Sequence, residues 1–194
     1  MDVNISENNS KFNIIFSKIK KNLKPIIVFA LILLIAFLLF LYLKEVKEKK
    51  EIKISNEFNI ARLLIEKEKL GDAKEIFYEI IEKKSEFYSP LSLYLIIENN
   101  MEEDNEKILK SFDKIIKIKG IEKENKNLIK IKKALFLIDN NFDEQKILDE
   151  LNSIINSESI WKKESIEIIG DYFLNKGDKL KSEEFYKLLN NLDS

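Results

Sequence analysis

From Ile52 onward, apolar residues recur every three or four positions, and short polar stretches break the pattern. That spacing predicts amphipathic helices joined by tight turns. The first pair runs from about Ile52 to Lys67 and from Asp72 to Lys84, across "EKLGD". Pro90 opens the next helix, as Pro does at a first helical position, and the apolar face there is Leu91, Tyr94 and Leu95. A following helix carries Ile108, Phe112 and Ile115 and stops at Gly120. A longer one carries Leu128, Ile131, Leu135 and Ile138 and ends at "DNNFD"; its partner carries Ile147, Leu151 and Ile154. The last pair is a helix ending at Asn175 and another starting at Asp178. Eight helices thus form four hairpins beginning near residues 51, 90, 121 and 158. No period-two strand pattern interrupts them. The predicted class is all-α, a short solenoid in which each hairpin has too little apolar surface to stand alone and stacks on the next.

Ahead of the hairpins the pattern changes. Residues 25–43, "PIIVFALILLIAFLLFLYL", contain no charge. At about 1.5 Å per residue this stretch spans about 28 Å, the thickness of a bilayer's hydrocarbon core. A buried soluble helix is rarely apolar on every face over such a length. A cleaved signal peptide would be shorter and would end at a small-x-small site, whereas "KEVKEKKEIK" follows here. The segment predicts an uncleaved transmembrane helix. It divides the chain into a Lys-rich tail (1–24), the membrane helix (25–43), a basic juxtamembrane segment that begins the first helix (44–54) and a helical domain (55–194). Each flank carries five Lys, so a count of cations ties. Glu45, Glu48 and Glu51 interleave the second flank, which favours a cytoplasmic tail.

Composition narrows the chemistry. With no Cys and no His, the chain has no disulfide, no thiol nucleophile, no zinc site of the usual kind and no Ser-His-Asp relay. Arg62 is the only Arg, and the abundant Lys, Ile, Asn and Phe all have AT-rich codons. Nothing offers the clustered Arg and basic face that nucleic acid requires. Residues 1–24 sum to +3 and residues 44–54 to +2, leaving −6 on residues 55–194. Carboxylates are plentiful, yet none sits in a recognisable catalytic constellation. No catalytic residue, cofactor, metal ligand or small-molecule substrate is therefore expected.

Two of the four glycines fall in "IIGDYFLNKGD" near the C-terminus. A phosphate loop would need a preceding strand and more glycines, and a calcium loop would need acids at alternate positions. The spacing instead resembles a tetratricopeptide repeat. Ile166 and Ile169 match the large apolar positions of the first helix of that repeat, Gly170 the small crossing position and Phe173 the aromatic one. Gly177 matches the turn, and Ser182, Tyr186 and Leu189 the small, aromatic and apolar positions of the second helix. The first hairpin repeats the pattern less completely, with Ala61 at the crossing and Ala73, Phe77 and Ile80 on its second helix. In the third hairpin Lys133 falls where a small residue is expected. Gly170→Leu is then expected to force the last hairpin apart, while Asp171→Ala and Asp178→Ala change stability little.

Taken whole, the chain resembles the YfgM-type ancillary subunits of the SecYEG translocon. The resemblance lies in the short Lys-rich tail, the single membrane helix and "WKKESIEIIGDYFLNKGDKLKSEEFYKLL". It implies a bacterial inner-membrane protein with its N-terminus in the cytoplasm and its helical domain in the periplasm. It also implies a non-enzymatic scaffold that links emerging chains on the translocon to periplasmic chaperones. A scaffold for assembly of another envelope complex, in cytochrome maturation or cell division, has the same repeat chemistry. In repeats of this type the exposed face of the first helix meets partners. By register that face carries Ser55, Phe58, Arg62 and Ile65 early in the domain, and Glu164, Glu167, Asp171 and Leu174 late in it.

Overall fold

Every regular element in the computed structural model, which describes residues 23–192, is an α-helix. The tail expected over residues 1–24 lies, apart from its last two residues, outside the described residues. The elements are α1 (Leu23–Glu66), α2 (Leu70–Glu82), α3 (Tyr88–Glu98), α4 (Asn105–Ile116), α5 (Lys123–Asp139), α6 (Glu144–Ile155), α7 (Lys162–Asn175) and α8 (Lys179–Leu192). By contacts the chain divides into two units, Met1–Ile52 and Lys53–Ser194.

The first unit holds the apolar part of α1. This helix is long and apolar enough to cross a membrane, and the apolar side chains from Ile27 to Leu43, among them Phe29, Ile32, Leu34, Phe37 and Phe40, are exposed. The sequence pattern predicted a separate helix beginning near residue 52, but α1 runs from Leu23 to Glu66 without a break. The reason is local. "KEVKEKKEI" contains no Gly or Pro and is made almost entirely of strong helix formers, with an exposed i,i+4 ion pair between Lys49 and Glu45 at 2.7 Å.

In the second unit, four tight turns share one geometry. Glu68, Asn100, Asn141 and Gly177 have φ of 58°, 49°, 55° and 81°. The next residue's N–H then reaches back to a carbonyl in the last turn of the finished helix. Lys69 donates to Leu64, Met101 to Ile96, Phe142 to Leu137 and Asp178 to Phe173, each at 2.9 Å. This left-handed closing motif satisfies carbonyls that the helix end leaves unpaired. Glycine adopts it without strain, and here only the last of the four turns uses one.

The residue seven positions before each turn is Ala61, Leu93, Ala134 or Gly170, and all four are buried. The small residue of the third hairpin is therefore Ala134 and not its neighbour Lys133. Lys133 points to the hairpin's flank, donating to Asp113 of α4 at 2.7 Å and Glu150 of α6 at 2.5 Å.

Aspartates start three of the four helices that follow these turns. Asp104 accepts from the N–H groups of Glu106 and Lys107, Asp143 from Gln145 and Asp178 from Lys181. Such caps satisfy orphan N–H groups of the first turn. Asp178→Ala therefore removes a cap, contrary to the small effect expected from the sequence. Pro90 is the third residue of α3, still within the first turn, where its missing N–H leaves no bond unmade. Gly120 lies beyond α4, which ends at Ile116.

Consecutive helices pack on one another from α2 to α8. Phe58 of α1 meets Phe77 of α2 edge-on at 5.7 Å, joining the first hairpin. Phe77, Phe112 and Phe173 are the largest side chains wholly enclosed by this packing.

Candidate protein-interaction groove

The terminal hairpin brings its sequence-marked residues together. Ile166, Ile169 and Phe173 of α7 are buried, as is Ser182 of α8, while Tyr186 and Leu189 are half-buried on the same face. A Cβ on Gly170 would lie 3.0 Å from Cε1 of Tyr186, so the glycine lets the tyrosine ring lie against the α7 backbone. The Tyr186 hydroxyl donates to Asp171 at 2.5 Å, and that bond raises the phenol's pKa. Gly177 is exposed in the turn. In the first hairpin Ala61, Ala73 and Phe77 are fully buried.

The residues expected on an exposed face separate. Phe58 lies in the core, its ring 5.7 Å from Phe77 and 5.3 Å from Tyr88, and so offers no open edge to a partner. Ser55 and Ile65 are half-buried. Arg62, Glu164, Glu167, Asp171 and Leu174 are exposed.

A groove opens elsewhere, between α3 and α5. One part, about 450 Å³, is lined by Tyr94, Ile97 and Glu98 of α3 and by Lys132, Leu135 and Asp139 of α5, with Phe112 and Phe136 beneath. A second part, about 230 Å³, shares Tyr94 and continues past Leu91 and Phe87 on one wall and Leu128 on the other. The lining residues repeat along one face of each helix, so the groove follows the helix axes for about 16 Å, the rise of α3. Tyr94 stands at its middle. Burial pushes the phenol up to about 12.

These groove residues were read from the sequence as core. Leu91, Tyr94 and Leu95 on α3, and Leu128, Leu135 and Ile138 on α5, are only half-buried. The buried set is Leu93 and Ile96 on α3, and Ile129, Ile131, Ala134, Phe136 and Leu137 on α5. The signal was available. "YSPLSLYLII" is apolar on nearly every face, more than one core contact can cover. Register links the two sets of residues. Six positions before the closing turns stand Arg62, Tyr94, Leu135 and Asp171; thirteen before stand Ser55, Phe87, Leu128 and Glu164. The face named on α1 and α7 is thus the same helical face whose members on α3 and α5 line the groove.

Polar ties hold the middle hairpins that frame it. Glu102, just before α4, accepts from Lys107 at 2.8 Å and from the Tyr78 hydroxyl of α2 at 3.1 Å. The Lys107 hydrogen bond dominates, outweighs burial and holds the Glu102 carboxyl at about 2. At Lys133 burial works against the charge, but the bonds to Asp113 and Glu150 prevail and its pKa is raised.

Comparison with known proteins found no matching family model, no matching curated protein and no matching solved structure.

Proposed function

We propose that the chain is a membrane-anchored, non-enzymatic scaffold whose helical domain is a tetratricopeptide-like solenoid holding an apolar segment of a protein partner between α3 and α5. The observation that carries this reading is the groove itself. Leu91, Tyr94, Leu128 and Leu135 remain partly open to solvent, where burial of apolar surface favours association at about 25 cal/mol per Å² before the costs of binding. Its length fits about five residues of extended polypeptide.

Contacts between alternate helices support the stacked arrangement. Phe58 of α1 touches Tyr88 of α3, and Lys107 of α4 lies 4.0 Å over the Tyr78 ring of α2. The Trp161 indole, at the start of α7, donates to the Glu124 carbonyl of α5 at 3.1 Å. Lys181 of α8 pairs with Glu144 of α6 at 3.1 Å.

The cellular setting rests on the resemblance of tail, membrane helix and domain. In it, α1 crosses the bacterial inner membrane with the tail cytoplasmic and the domain periplasmic, and the partners are SecYEG and periplasmic chaperones. Membranes solubilised in mild detergent, with the full chain tagged, test this by mass spectrometry of what co-purifies. SecY is expected with the wild type and is lost or much reduced with Tyr94→Glu/Leu135→Glu. Recovery of another envelope complex without SecY contradicts the translocon setting. Topology is tested separately with Asn56→Cys in this cysteine-free chain. A membrane-impermeant maleimide should label it in spheroplasts, and protection would put the domain in the cytoplasm.

A further inference from the structure

The carboxylates along the groove face sit where the helices themselves disfavour them. The last residue of α1 is Glu66, of α3 Glu98 and of α5 Asp139, and all three are exposed. A helix carries partial negative charge at that end, so a carboxylate there is unfavourable and a Lys favourable. No basic residue occupies the last turn of α1, α3 or α5, although the domain is rich in Lys. Glu98 and Asp139 both line the groove. Among the described residues none of the three carboxylates forms an ion pair. On α7 the same face carries Glu164, Glu167 and Asp171. Lys132 of α5 lines the same part of the groove, and Arg62 is exposed at the matching position of α1.

An apolar floor edged by unpaired carboxylates is complementary to one kind of polypeptide. We infer that the groove selects apolar segments interspersed with Lys or Arg and rejects acidic ones, an inference that rests on the groove being the partner site. The apolar side chains occupy the space between Leu91, Tyr94 and Leu135. The segment's cations reach Glu98 and Asp139 at the groove's end, with the acidic face of α7 at the same register. Such rim charges act through partner choice and association rate more than through affinity, and their effect falls as salt screens them.

The test uses the full chain in nanodiscs of zwitterionic phosphatidylcholine, with empty nanodiscs as the blank. Two short labelled peptides serve as probes, one alternating Leu and Lys, the other Leu and Glu, and fluorescence anisotropy reads their binding. The Leu-Lys peptide should bind about tenfold more tightly, equivalent to about 1.4 kcal/mol, and the margin should shrink as salt is raised. Glu98→Lys/Asp139→Lys, both on exposed helix ends, should abolish or invert the preference with helicity unchanged. Equal affinity of the two peptides for the wild type overturns the inference, as does a preference that survives the double reversal. If equal binding is nonetheless lost in Leu135→Glu, the groove stands as a binding site and only its charge selection fails. If neither peptide binds, the groove reading falls with it.

Discussion

α3 and α7 occupy the same place in their hairpins but turn different chemistry outward. Each ends in the same left-handed turn, and each buries the residue seven positions earlier, Leu93 in one and Gly170 in the other. On the face six positions before the turn, α3 shows Tyr94 and α7 shows Asp171. Closure differs as well. The terminal hairpin is drawn together by Tyr186 lying against Gly170, whereas the middle hairpins are tied from the side by Glu102 and Lys133. The turn and the buried position seven residues before it recur in both hairpins, while the outward face varies. On α3 and α5 that face is apolar and lines the groove, and on α7 it is acidic.

The terminal hairpin should be the more sensitive to side-chain volume. Gly170→Leu drives side-chain atoms into the space of the Tyr186 ring and should lower stability by about 1–3 kcal/mol, the usual range for overpacking. A thermal melt within about 0.5 kcal/mol of wild type would mean that the close approach of α7 and α8 matters little.

The middle hairpins should instead be sensitive to charge. Glu102→Gln weakens a charge-assisted network whose Lys107 partner is half-exposed, and should lose about 1 kcal/mol at neutral pH. The sign with pH follows from the depressed pKa. A carboxyl lowered from 4.5 to about 2 stabilises the fold above pH 4.5, and that contribution disappears as pH falls toward 2. Urea melts of wild type and variant should therefore differ at pH 7 and converge near pH 2. A gap that persists in acid would assign the loss to packing. Lys133 has the opposite sign. Its raised pKa adds stability throughout the range below 10.5, lost only in stronger alkali.

Asp178→Ala should cost about 1 kcal/mol through the lost cap of α8, less than Gly170→Leu in the same hairpin. The smallest effect is a gain. Asp139→Lys should raise stability by about 0.3–1 kcal/mol, because a cation suits that end of α5. A loss on thermal melting would show that Asp139 has a structural role and is not held there against the helix's own preference.

Much of the fold was legible because its signals are local. Apolar spacing located the hairpins, and Asp178 and Gly177 marked the last turn to within a residue. The other turns were harder to read, since Glu68, Asn100 and Asn141 take the left-handed conformation without being glycine. Counted back from Asn141, the buried small residue of the third hairpin is Ala134, one place after Lys133, where the repeat spacing had looked for it. The continuity of α1 was missed because a change from apolar to charged residues looks like a boundary, although helix propensity does not fall there. The groove was hidden for a different reason. Periodicity shows that Leu91, Tyr94, Leu128 and Leu135 are apolar and lie along one face, but not whether another helix covers them. Coverage depends on how neighbouring hairpins stack, which no single helix's sequence records.

If the groove is the docking site, the face shared by α3 and α5 meets the partner. Replacing Tyr94 with a photo-crosslinking phenylalanine derivative in the full chain, in living cells, tests it most directly, with Lys187 on the exposed side of α8 as the reference position. Position 94 should give adducts with a translocon subunit or a secretory chain in transit, position 187 none of these, and the adducts should be lost when Leu135→Glu is added. Equal adducts from the two positions, or adducts at 94 that are indifferent to Leu135→Glu, would contradict it.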